Sequence, residues 1–60
     1  MCESNAYSTD GSIIMEDVIS MKINGKNIEM LDILNQKKEM KGTIVEIDLD
    51  KHRIYIQSAN

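Results

Sequence analysis

Val18-Ile19-Ser20-Met21-Lys22-Ile23-Asn24-Gly25-Lys26-Asn27-Ile28-Glu29-Met30-Leu31 is the stretch whose reading decides the fold. From Val18 to Ile23, Ile19, Met21 and Ile23 fall on one face and Ser20 and Lys22 on the other, the period of a strand rather than a helix. Asn24-Gly25 follows. Asn-Gly between two alternating runs is the strongest short-range hairpin signal, because the favoured tight turn needs positive φ. The return run, Ile28 to Leu34, sends Ile28 and Met30 to one side and Leu31 and Ile33 to the other. Its register slips near Met30-Leu31, which points to a bulge there or to a strand whose two ends face different layers. Ile28, Leu31 and Leu34 also fall at helical spacing, but the hairpin and the β-rich flanks outweigh that reading.

Working outward, residues 2–8 read as a first strand, with Cys2, Ser4, Ala6 and Ser8 on one face and Glu3, Asn5 and Tyr7 on the other. Asp10-Gly11 gives a turn in which glycine supplies positive φ. Ser12 to Glu16 carries Ile13-Ile14-Met15, a short second strand that Glu16-Asp17 separates from the run beginning at Val18. Beyond the hairpin, Asn35-Gln36-Lys37-Lys38 is a polar connection. Glu39 to Asp48 is the longest strand candidate, with Thr43, Val45, Ile47 and Leu49 on one face and Ile44, Glu46 and Asp48 on the other. Gly42 within it marks a bend where a strand turns a barrel corner. After a turn at Asp50-Lys51, His52 to Gln57 puts Ile54 and Ile56 inward and Arg53, Tyr55 and Gln57 outward. Ser58-Ala59-Asn60 reads as a loose tail. Five or six short antiparallel strands at regular spacing predict an all-β small barrel, a single domain over residues 1–60.

Sixty residues bury only about 60% of their unfolded surface, which leaves such a domain marginally stable alone. With no Trp, no Phe and two Tyr, the core must come from Ile, Leu, Val and Met. Domains this small commonly need a disulfide, a metal or self-association. One cysteine cannot form a disulfide within the chain, so a homodimer is the expected state. A lone thiol and an N-terminus without a basic region and apolar core predict a cytoplasmic protein. No apolar run is long enough to span a membrane. Ten acidic against seven basic residues, a formal charge of −3, argue against a nucleic-acid partner bound through phosphate neutralisation.

The chemical inventory is short. It holds one His, one Cys, no CxxC pair and no Gly-rich phosphate loop, and no enzyme class is supported. Adjacent acids such as Glu16-Asp17 point to opposite faces of a strand and serve as solubility charges. His52 sits at a turn and is expected to be exposed. Cys2 has two readings. It is a small apolar residue opening an edge strand, or its thiolate joins nitrogens from Met1 and Glu3 in a chelate for a transition metal, since thiolates favour soft and borderline ions.

The order and spacing of Met1-Cys2-Glu3-Ser4-Asn5-Ala6-Tyr7, Met15-Glu16-Asp17-Val18, Gly25-Lys26-Asn27-Ile28, Leu31-Asp32-Ile33-Leu34 and Gly42-Thr43-Ile44-Val45-Glu46-Ile47-Asp48-Leu49 resemble the CooT family. Its members are small proteins associated with nickel insertion into carbon monoxide dehydrogenase. The resemblance runs from Met1 to about Ile56. It implies an SH3-like barrel, a homodimer, and one Ni²⁺ site per dimer with the second-residue cysteine of each subunit, here Cys2, as a ligand. Met1 and Glu3 enter the expected site through the chelate reasoning alone, and His52 matches no family pattern. Carbon monoxide dehydrogenase or its maturation proteins are the expected partners. The alternative is a barrel that binds RNA or a protein without metal.

Overall fold

The computed structural model describes residues 3–59. These residues form a closed barrel of five strands, each hydrogen-bonded to the next: β1 (Ser4–Ser8), β2 (Ile13–Asn24), β3 (Asn27–Asp32), β4 (Lys37–Asp48) and β5 (Arg53–Ser58). There is no helix among the described residues, so the β reading of Ile28 to Met40 holds.

Two strands run to twelve residues, and their length explains how so short a chain closes a ring. The first half of β2 pairs with β1 and the second half with β3. Likewise β4 pairs first with β3, up to Lys41, and then with β5 from Gly42 onward. The two runs expected at Ser12 to Glu16 and Val18 to Ile23 are therefore one strand. Glu16-Asp17 does not end it; Asp17 adopts φ 55° and bends it. Aspartate tolerates this left-handed conformation better than most residues. In β4 the bend falls at Gly42, as its glycine predicts. A Cβ there would lie 2.5 Å from the carbonyl oxygen of Gln57, so no side chain fits without moving β5.

The register of β3 needs a correction. Ile28, Met30 and Asp32 are all buried, an unbroken alternation. The irregularity lies on the partner strand between Val18 and Ser20, where β2 carries the extra residue. A bulge opposite a regular strand produces the same mismatch in the alternation, which is why it reads as a slip near Met30-Leu31.

Closure also departs from the all-antiparallel expectation. β1 lies parallel to β5, with Ala6 opposite Ile54 and Tyr7 opposite Tyr55. That register sets the chain's two aromatics side by side on the outer surface, ring centroids 5.8 Å apart at 28°. The Arg53 guanidinium stands 5.7 Å from the Tyr7 centroid, within cation–π range. Hydrogen bonding to Tyr55 is the main reason that the Arg53 pKa is raised above its ordinary value.

The core is Ala6, Val18, Ile28, Met30 and Ile56, with Ile14, Met15, Met21, Met40, Ile44 and Ile54 packed against it. Fully burying an Ile or Met side chain contributes about 1.5–3 kcal/mol. The ends of the ring are tied by backbone bonds. Ala59 N–H donates to Lys41 C=O at 3.0 Å, and Ser58 belongs to β5, so the expected loose tail is anchored at least to Ala59. Asp32, 7% exposed, accepts hydrogen bonds from Leu34 N–H and Gln36 N–H and thereby shapes the turn after β3.

Candidate functional site

Met1 and Cys2 lie outside the described residues; Glu3, half-buried, is the first residue of the expected site that the structure places. Three features fix where it sits. Ser4 pairs with Val18 of β2. Asn5 N–H donates to the His52 carbonyl at 2.9 Å. The Asn5 side chain accepts from Asp17 N–H through Oδ1 at 3.0 Å. Asn5 thus clamps the start of β1 between the β5 turn on one side and the bend of β2 on the other, three residues beyond Cys2. A backbone donor at a bend, where the ladder is interrupted, needs such a partner.

Glu3 and Ser4 form one wall of a groove of about 340 Å³ whose other walls are Val18, Ile19, Met21 and Ile54. Among the described residues, β1 pairs with β2 only as far as Val18, and no strand pairs with the β1-facing edge of Ile19 to Asn24. The groove is apolar apart from Glu3 and two serines. Nothing in the composition of residues 2–8 announces it, because the apolar lining comes from β2 and β5.

His52 is exposed with φ 56°, at the turn entering β5. Parallel pairing of β1 with β5 brings this turn beside the start of β1, so the residue carrying the only imidazole neighbours the N-terminal segment. That proximity follows from ring closure and cannot be read from a separation of fifty residues. Among the described residues no three His, Cys, Asp or Glu side chains gather into a metal-binding group. Glu16-Asp17, Asp48 and Asp50 do not converge. Asp48 instead accepts from Asp50 N–H at 3.1 Å and Lys51 N–H at 3.0 Å, a turn-forming role. No helix among the described residues is long and apolar enough to cross a membrane.

With this geometry in place, comparison with known proteins is decisive. A family model described as CO dehydrogenase accessory protein CooT matches residues 1–57. The chain belongs to the CooT family. Curated relatives include an uncharacterized protein of Methanothermobacter thermautotrophicus, 52% identical over 58 residues, covering 97% of this chain and 91% of that protein. Another, from Methanocaldococcus jannaschii, is 37% identical over 57 residues, covering 95% of this chain and 98% of that one. Among solved structures, a crystal structure of a protein assigned as CooT from Carboxydothermus hydrogenoformans superposes with a TM-score of 0.89, covering 98% of this chain and all of that one. At 22% identity this second likeness speaks for the fold alone. The CooT resemblance and the small all-β fold read from the sequence are thus both found, and family membership makes this an accessory protein of the CO dehydrogenase system.

Proposed function

We propose that this CooT chain is a cytoplasmic nickel-binding protein that serves nickel insertion into carbon monoxide dehydrogenase as a homodimer. Cys2 is the principal ligand and Ni²⁺ is its cargo. The observation that carries the reading is the Asn5 clamp, which fixes the chain direction three residues from Cys2. A cargo metal that must leave again calls for a ligand near a fixed point of the barrel, and Asn5, three residues after Cys2, is such a point. The donor set fits the ion. Thiolate sulfur with main-chain nitrogen around Met1 and Glu3 suits Ni²⁺, and two such half-sites related by a two-fold axis complete a four-coordinate, square-planar centre. Thiolate is the binding form, so proton competition weakens binding as pH falls below the usual cysteine range of about 8.5.

The test is a Ni²⁺ titration of the reduced protein followed by absorbance, alongside Cys2→Ser. The expected result is a thiolate-to-nickel charge-transfer band that saturates near half an equivalent per chain and is missing from the mutant, whose circular dichroism is unchanged. Absence of the band from both proteins would leave the barrel as a binding module without metal. One observation favours that second reading: five of the seven cationic residues lie between Lys22 and Lys41. Within that stretch, however, Glu29 and Glu39 intervene, and Lys37 is committed to Glu29 at 3.1 Å, which raises the lysine pKa.

A further inference from the structure

The chain has two aromatic side chains, and neither belongs to its core. That core is aliphatic, although a buried aromatic ring would remove about 150–250 Å² from water. Instead, β1 and β5 pair Tyr7 with Tyr55. Their chain neighbours Ala6 and Ile56 are fully buried, so alternation along each strand turns both rings outward. The row continues to either side. Tyr7 is paired with Ile13 of β2, which is 50% exposed, and Tyr55 with Glu46 of β4. Directly paired residues project to the same side of a sheet. Ile13, Tyr7, Tyr55 and Glu46 thus form one outer row across four strands, and Asn5, Arg53 and Asp48 form the row beside it.

This group is held in place before any partner arrives. The rings stack with centroids 5.8 Å apart, and the Arg53 guanidinium caps them 5.7 Å from the Tyr7 centroid. A pair that only closed the barrel would need no arginine laid against it, and two β-branched residues would serve. Tyr and Arg are the residues that carry binding energy at protein interfaces. Side chains already fixed lose little freedom on binding. Carboxylates flank the group on both sides: Glu46 and Asp48 on β4, and Glu16 and Asp17 at the bend of β2 that Asn5 joins to β1.

We infer that this face is where the chain docks on nickel-free carbon monoxide dehydrogenase, Tyr7, Tyr55 and Arg53 seating in an apolar hollow of the enzyme whose rim is cationic. The inference rests on the accessory role proposed above and names its contact surface, which does not include the metal ligands. Charge selects the occupant. A run of phosphates would meet Glu46 and Asp48 and be repelled, and a second copy would bring the same carboxylates against them. A protein face with Lys or Arg around its rim meets them favourably. Position agrees. Tyr7 is five residues from Cys2, a separation that cannot exceed about 18 Å even in an extended chain, so a cargo released from Cys2 leaves close to the enzyme.

The experiment measures binding of the full chain to immobilised nickel-free carbon monoxide dehydrogenase by interferometry, for wild type, Tyr7→Ala, Tyr55→Ala, Arg53→Ala, Glu46→Lys and Leu34→Glu. Circular dichroism checks the fold and sedimentation the self-association of each. Tyr7→Ala and Tyr55→Ala are expected to weaken binding about 30-fold or more and Arg53→Ala about 10-fold, the scale of central interface residues. Glu46→Lys is expected to slow association about 10-fold, and added salt to slow that of the wild type. Leu34, 73% exposed in a depression formed by the turn after β3, is expected to leave binding unchanged when replaced by Glu. Folded tyrosine variants that bind as wild type does overturn the inference, as does binding lost in Leu34→Glu alone or a wild type that does not bind the enzyme. Self-association lost in the tyrosine variants with enzyme binding unchanged overturns it in favour of a second copy. A single-stranded oligoribonucleotide bound in place of the enzyme, and lost in those variants, overturns it in favour of RNA. If a tyrosine variant fails to fold, Tyr7→Thr or Tyr55→Thr takes its place, since Thr suits a strand, with the same criteria. The nickel titration on the same proteins separates the two readings. A band in every protein with enzyme binding unchanged defeats the face alone, whereas enzyme binding lost in the tyrosine variants with no band in any protein sustains the face and defeats only the nickel reading.

Discussion

The two long strands turn their corners by different means. β4 bends at Gly42, and sterics enforce the choice: a Cβ would meet the Gln57 carbonyl oxygen at 2.5 Å and the Ile56 side chain at 3.0 Å. β2 bends at Asp17, which pays for a left-handed φ with a hydrogen bond from its own N–H to the Asn5 side chain. The first corner depends on close packing against β5 and answers to stability alone. The second depends on one polar contact from the strand that begins the N-terminal segment. Any disturbance of it is felt both in the barrel wall and at the proposed nickel site. Equivalent turns in one ring thus rest on close packing in one case and on a contact from the N-terminal strand in the other.

The largest effect that separates them is expected from Gly42→Ala. The obstacle is backbone, which yields less than a flexible side chain, so the loss of stability falls at or above the upper end of about 1–3 kcal/mol for overpacking. Chemical denaturation measures it; a shift below 1 kcal/mol would mean that β5 moves freely and that the Gly42 corner is not sterically set. Asn5→Ala comes next. It strands the Asp17 N–H and is expected to cost about 1 kcal/mol, typical of one hydrogen bond, and to weaken Ni²⁺ binding by loosening the start of β1. Stability lost with nickel affinity unchanged would break the coupling between that corner and the N-terminal end. The smallest effect belongs to Asp17→Gly. It relieves the positive φ while keeping the N–H that Asn5 holds, so stability should move by no more than about 1 kcal/mol. A larger loss would show that the Asp17 side chain, and not its backbone, builds the bend.

How much of this was legible in the sequence follows from the same contrast. Gly42 announced its corner because glycine within an apolar strand has few other uses, and Asn24-Gly25 announced the hairpin through its own turn chemistry. Ile54 and Ile56 read correctly as inward, and Ile28 and Met30 as sharing one face, because their strands keep period two. Asp17 looked like a strand end, since an acidic pair in an apolar run signals a break and its true partner, Asn5, lies twelve residues away. Ile19 and Ile47 were assigned to apolar faces, but bulges in β2 and β4 and the unpaired edges decide that those positions stay open. No local pattern reveals an unpaired edge. At the candidate site, the cysteine and its neighbours Met1 and Glu3 were visible as residue types. The groove beside Glu3 was not, because its apolar lining comes from β2 and β5, nor was the approach of the His52 turn, which arises from the parallel closure of β1 on β5.

The most direct measurement of the central claim is native mass spectrometry of the reduced protein with one equivalent of Ni²⁺ per chain, for wild type and Cys2→Ser. A two-chain species carrying one nickel in the wild type, and a two-chain species carrying none in the variant, is the predicted pair of spectra. A wild type that binds one nickel on each single chain, or a Cys2→Ser protein that binds nickel equally well, would contradict a shared Cys2 site between two CooT subunits.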